Sequence, residues 1–62
     1  MIDINRADST ELMTLPGIGP VLASRIIAYR DSAGAFARPN DLLKVKGIGD
    51  KKLAKIKPYL KF

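Results

Sequence analysis

Leu15-Pro16-Gly17-Ile18-Gly19-Pro20 and Val45-Lys46-Gly47-Ile48-Gly49 are two copies of one short phrase, and their reading decides the fold. Pro16 and Pro20 lack amide hydrogens and the glycines permit backbone angles that other residues avoid, so a helix running into Leu15 stops there. Pro20 has the fixed φ suited to the first turn of a new helix. The phrase is a tight turn between two helices, with a glycine at each end letting the backbone bend.

Sliding the chain on itself by 30 positions superimposes much more than the two turns. Leu12 meets Leu42, Ile26 meets Ile56 and Tyr29 meets Tyr59, while Glu11/Asp41, Met13/Leu43, Leu15/Val45 and Arg25/Lys55 keep their chemical type. Self-similarity at one fixed offset marks a tandem of two supersecondary units. In the first, Asp8 is an N-cap with Glu11 at capping-box spacing, and Leu12, Met13 and Leu15 form an apolar side. After the turn, Leu22, Ala23, Ile26, Ile27 and Tyr29 recur at helical spacing until Asp31-Ser32-Ala33-Gly34-Ala35 ends the helix.

Phe36 is expected to plug the core from the connecting loop. Pro39 opens the next helix, with Leu42, Leu43 and Val45 inward. Asp50 begins the last one, whose buried stripe is Leu53, Ile56 and Leu60, with Lys51, Lys52 and Lys55 on the other side. Pro58 loosens or ends it, and Tyr59 to Phe62 pack back as a tail. Tyr29 and Tyr59 read as core residues. No segment reads as a strand. The expectation is an all-α domain over 1–62, four short helices around one small core, with a first hairpin at 9–31 and a second at 39–60.

The chain has 62 residues, so the core must be small. With 47% hydrophobic and 27% charged residues it has a globular composition. Lys and Arg number 11 against 6 Asp and Glu, a net charge of +5, which points to a polyanion: nucleic acid or an anionic membrane surface. The excess is unevenly placed. Residues 1–31 hold three arginines against four acids, net −1, and residues 32–62 hold eight basic residues against Asp41 and Asp50, net +6. Neither Cys nor His is present, which removes disulfides, thiolate sites and the commonest general base and metal ligand. The absence of Trp, with two Tyr and two Phe, disfavours a stacking platform for single strands. No apolar run is long enough to span a bilayer and no signal peptide precedes Asn5, so no membrane insertion by this segment is expected.

In chemical terms, each Gly-Ile-Gly is a candidate anion site. Glycines keep side chains away from a ligand, and the amides opening the following helix point outward where the helix dipole is positive. Ile18 and Ile48 are expected to tuck inward and pin the turns. A mononucleotide phosphate loop is excluded, because no Gly-x-x-x-x-Gly-Lys-Ser/Thr and no preceding strand are present. Lys46, Lys51 and Lys52 surround the second turn. The first has Val21 and Leu22 where the second has Lys51 and Lys52, leaving it backbone amides with help from Arg25 only. The hairpins are therefore expected to be unequal.

These paired phrases resemble helix-hairpin-helix hairpins, and the whole is similar to the double helix-hairpin-helix, SAM-like domain of DNA-processing proteins. Ile4-Asn5-Arg6-Ala7, Arg25-Ile26-Ile27-x-Tyr29-Arg30 and Gly34-x-Phe36 narrow the resemblance to the C-terminal domain of the ComEA competence family. It implies binding of double-stranded DNA without sequence preference, the hairpins straddling the minor groove and holding phosphates on opposite strands. Transferred to this chain, the hairpin residues in contact are Gly17, Ile18, Gly19 and Val21 with Gly47, Ile48, Gly49 and Lys51; flanking support comes from Arg25, Lys46, Lys52 and Lys55. The resemblance also implies DNA uptake in transformation, other competence proteins as partners, an extracytoplasmic setting within a membrane-anchored protein, and a monovalent cation at a hairpin carbonyl. Arg6, where the family has a small polar residue, and the missing lysines at Val21-Leu22 are departures, as is the lack of an anchor in this sequence. No other cofactor and no structural metal are expected.

Two further classes compete. A small tandem helical domain also suits a protein-interaction module, with the neutral-to-acidic first half as its surface, or the DNA-binding part of a repair or recombination protein. Catalysis is disfavoured: Asp3, Asp8, Glu11, Asp31, Asp41 and Asp50 are accounted for mostly as caps and first-turn charges, and nothing completes a site.

Overall fold

A computed structural model describes residues 1–62. Strand β1 (Ile2–Asp3) is followed by α1 (Ser9–Leu12), α2 (Pro20–Ala33), a 3-10 helix (Pro39–Lys44), α3 (Asp50–Ile56), a 3-10 turn (Lys57–Tyr59) and β2 (Leu60–Lys61). The turn phrases separate α1 from α2 and the 3-10 helix from α3, so the helical tandem is as expected. The strands are the addition. They pair in parallel, Ile2 with Leu60 and Asp3 with Lys61, and the Ile4 amide extends the ladder to the Lys61 carbonyl at 3.1 Å.

The repeat is visible in the bonding itself. In the first unit Leu15 N–H donates to Leu12 O and Ile18 N–H to Leu15 O; in the second, Val45 N–H donates to Leu42 O and Ile48 N–H to Val45 O. At the openings the repeats diverge. Asp8 caps α1 by accepting from Glu11 N–H at 2.8 Å, and Glu11 Oε1 accepts from Asp8 N–H at 3.4 Å, the anticipated capping box. The equivalent of Asp8 is Arg38, whose guanidinium has no acceptor. There the Asp41 amide turns back to the Arg38 carbonyl at 3.1 Å and the segment winds as a 3-10 helix. The Asp41 carboxylate accepts from Ala37 N–H at 2.9 Å and Arg38 N–H at 3.3 Å. The Ala37 bond is the main reason its pKa is held below the ordinary carboxylate value.

Fourteen buried residues, all apolar, form one core. It is built from repeat-equivalent pairs, Leu12/Leu42, Leu15/Val45, Ile18/Ile48, Ala23/Leu53 and Ile26/Ile56, joined by Ile4, Ala7, Phe36 and Leu60. Phe36 plugs the core as expected and stacks on Tyr29 at 5.1 Å between ring centroids. Asn5 holds that plug in place: its Nδ2 donates to Phe36 O at 2.9 Å and its Oδ1 accepts from Phe36 N–H at 2.7 Å. Arg30 adds a bond from Nη1 to Ile4 O at 3.1 Å.

Three apolar residues expected inside lie outside. Met13 and Leu43, equivalent to one another, are 43% and 38% exposed, because each opening helix is too short to bury more than the Leu12 or Leu42 side. Tyr59 is 52% exposed although its counterpart Tyr29 packs against the core, because α3 ends at Ile56 and Tyr59 lies in the 3-10 turn that leads into β2. Leu60 takes the buried position instead.

Candidate nucleic-acid interface

The two glycines of each hairpin serve different ends. Gly17 and Gly47 adopt φ of +80° and +97°, a region closed to most side chains, and make the turn. Gly19 and Gly49 have φ of −96° and −108°, extended backbone that any residue can adopt. The expectation that a glycine at both ends lets the backbone bend is therefore met at the first glycine only. A Cβ at Gly19 or Gly49 would meet no atom of the protein within 4 Å. Nothing inside the molecule requires glycine at these two positions.

Both sit at the N-cap of the following helix, α2 or α3, and neither helix start receives a side-chain cap. Backbone bonding begins with Ala23 N–H to Gly19 O and Leu53 N–H to Gly49 O, each 2.9 Å. The amides before those residues, Val21 and Leu22 in α2 and Asp50, Lys51 and Lys52 in α3, precede the first intrahelical bond and have no partner in the protein. Ile18 and Ile48 lie beneath, 4% and 5% exposed, and anchor the turns to the core as expected. Ile18 and Ile48 thus hold the loops in place while Gly19 and Gly49 leave them bare.

Of the other residues expected at the interface, Val21, Lys46, Lys51 and Lys55 are exposed. Arg25 is on the opposite hairpin from the one its sequence position suggests. Its Nη1 donates to Lys46 O at 3.2 Å, and it lies 3.1 Å from where a Gly47 Cβ would stand. Leu22 packs there too, with Cδ2 only 2.7 Å from that position. The converse contact is made by Lys52, whose Cε lies 3.6 Å from the Cβ position of Gly17. Leu22 and Lys52 are repeat equivalents, as are Gly17 and Gly47, so each second helix covers the other unit's hairpin. Reciprocal contact of this kind is the mark of a two-fold relation. Chain position groups Arg25 with the first hairpin and Lys52 with the second; the 30-residue register marks equivalent positions only, and the cross-unit pairing is seen in the contacts.

No three metal-ligating side chains gather, and no helix is long and apolar enough to cross a membrane. Residues 1–61 match the model of a family described as the helix-hairpin-helix motif. The chain belongs to the helix-hairpin-helix family. Helix-hairpin-helix domains of this kind are non-enzymatic DNA-binding modules. Among relatives, the chain is 46% identical over 57 residues to ComE operon protein 1 of Bacillus subtilis, covering 92% of this chain and 28% of that protein. The ComEA resemblance holds on that likeness. It is also 46% identical over 56 residues to endonuclease/exonuclease/phosphatase family domain-containing protein 1 of Danio rerio, covering 90% of this chain and 10% of that protein. The human protein of the same name is 43% identical over 56 residues, again 10% of its length. The chain thus spans about a quarter of the first relative and a tenth of the others, and what it shares with the latter is a small helix-hairpin-helix module.

Proposed function

We propose that this domain binds double-stranded DNA without sequence preference. In this reading the amides of Val21 and Lys51, at the helix starts bared by Gly19 and Gly49, each take a phosphate oxygen. Lys46, Lys51, Lys52 and Lys55 add charge around them. The observation that carries the reading is the pair of glycines with no internal purpose. Two extended-backbone glycines with open space over them, each at an uncapped helix start, suit close approach by an external anion. Contacts of this type reach phosphates and carry no base information, which makes the binding non-specific.

Dimensions and symmetry favour a duplex. The domain measures 25 × 22 × 20 Å, so both hairpins lie within less than one helical turn of DNA, about 34 Å. They bridge phosphates across one groove. A two-fold relation between the hairpins matches the antiparallel relation of the two strands, which meet across the minor groove that the resemblance implies. Uptake of DNA in natural competence is the role the ComE operon relative favours.

A fluorescence titration of a mixed-sequence duplex at several salt concentrations tests the reading. With four to five phosphates neutralised, log K is expected to fall against log salt with a slope of about −3.6 to −4.5, at affinities on the order of micromolar at physiological salt. A salt-independent affinity, or no binding at low salt, overturns it.

A further inference from the structure

We infer that Lys52 serves the first hairpin, supplying the cation that its own sequence lacks; this rests on the DNA-binding reading above. Position along the chain assigns Lys52 to the second hairpin, one residue after Lys51. The geometry points elsewhere. Lys52 is half-buried while Lys51 and Lys55 are exposed, and its stem ends beside Gly17, with Cε 3.6 Å from the Cβ position there. Nothing else comes within 4 Å of that position. A lysine whose alkyl stem packs along a surface keeps its ammonium in water at the end of that path, here one bond beyond Cε at the rim of the first hairpin.

The two-fold relation explains why this position reaches across. Residue 22 of the first unit and residue 52 of the second each cover the other unit's positive-φ glycine. In the first unit the covering residue is Leu22, and the second hairpin already carries Lys46 and Lys51. In the second unit it is Lys52, and the first hairpin has Pro16 and Val21 at the positions of Lys46 and Lys51. A charge placed at residue 52 therefore goes to the hairpin that has none at the positions of Lys46 and Lys51. The inequality expected between the two hairpins is reduced by one cross-unit lysine, and the first hairpin combines amides with an ammonium.

A double-mutant cycle separates the two assignments. Lys52→Met keeps the packing stem and removes the charge. Gly19→Val and Gly49→Val place a side chain over the first or the second set of amides. Duplex affinity is measured by anisotropy for the wild type, the three single variants and the two doubles, with folding of each checked by circular dichroism. Lys52→Met is expected to weaken binding on the order of five- to tenfold and to make the salt slope shallower by about 0.9. It should do so in full in the Gly49→Val background and by less than about twofold in the Gly19→Val background, since a coupled pair loses its interaction only once. Coupling to Gly49→Val instead, equal effects in both backgrounds, or no effect in the wild type overturns the assignment while leaving DNA binding intact. Failure of the folded wild type to bind duplex at low salt overturns the DNA-binding reading itself, and this inference with it.

Discussion

Replacing the glycines of the second hairpin one at a time by alanine separates the fold from the function. At Gly47 the added Cβ meets Leu22 Cδ2 at 2.7 Å and Arg25 Nη1 at 3.1 Å, in a backbone with φ of +97°. The left-handed conformation costs an alanine about 1–2 kcal/mol, and displacing a packed side chain adds about 1–3 kcal/mol. A domain of this size has about 3–9 kcal/mol in total, so Gly47→Ala should lose much of it. At about 4–8 °C per kcal/mol, its melting temperature is expected to fall by at least about 10 °C. Gly49→Ala is different in kind. Its φ of −108° suits alanine and its Cβ would stand in open space. A poorer N-cap costs about 0.5–1 kcal/mol, offset by about 0.4–1 kcal/mol from the stiffer unfolded chain. Stability should stay within about 0.5 kcal/mol of the wild type.

Binding should follow the opposite order to that stability ranking. The Gly49→Ala methyl stands where a phosphate must come close, and one hydrogen bond to a charged group is worth about 1.5–3 kcal/mol. Losing it weakens duplex affinity by about 10- to 150-fold. Thermal melting by circular dichroism and anisotropy titration of a labelled duplex measure the two quantities on the same samples. A Gly49→Ala protein that is fully folded and binds as tightly as the wild type would falsify the backbone-mediated site. Gly49→Val covers the same amides with a larger side chain, and the extended φ spares it strain, so it should also fold, and should bind less well than Lys52→Ala.

Two other perturbations test the scaffold. Asn5→Ala removes both bonds to the Phe36 backbone and should lower stability by about 1–3 kcal/mol, read as a fall in melting temperature; an unchanged melt would show that packing alone holds Phe36 in place. Asp41 has a folded-state pKa below its unfolded value, so its contribution is fully present above the unfolded value and is lost as pH falls through the folded one. Acidification from pH 5 to pH 2 should therefore destabilise the wild type more than Asp41→Asn, measured by urea denaturation at each pH, and parallel losses in the two proteins would refute that role.

Sequence carried the local structure because the deciding residues are local. Asp8 with Glu11 sets a capping box, Pro20 and Pro39 open helices, and Gly17 and Gly47 make turns, each within a few residues of its partner. The interior followed from the repeat, since Leu12/Leu42, Ile18/Ile48 and Ile26/Ile56 are buried in pairs. What stayed hidden is non-local. Ile2 and Leu60 pair across 58 positions with no alternating pattern to announce them, and Asn5 reaches Phe36 across 31. Tyr59 departs from the repeat because α3 ends at Ile56 and a 3-10 turn replaces the α-helix that carries Tyr29. At the interface the residue types were legible and their partnership was not: Arg25 and Lys52 each act on the unit that does not contain them.

That exchange bears on why two hairpins share one small domain. Neither unit could hold its own turn in this way if separated, because the side chains at Gly47 belong to α2 and the one at Gly17 belongs to α3. A lone hairpin would also have only half of the paired core to bury. Arg25 therefore acts between units: its bond to the Lys46 carbonyl sets the second loop from the first unit's helix, at an exposed site. The pair of helices between the turns then fixes the separation of the two bare helix starts. In the proposed reading, two anion sites held at a fixed distance by a shared core suit a polymer whose phosphates recur at a fixed distance, and a freely mobile polyanion would gain much less from them. The +5 charge draws such a polymer in; the rigid spacing of the hairpins favours the regular duplex.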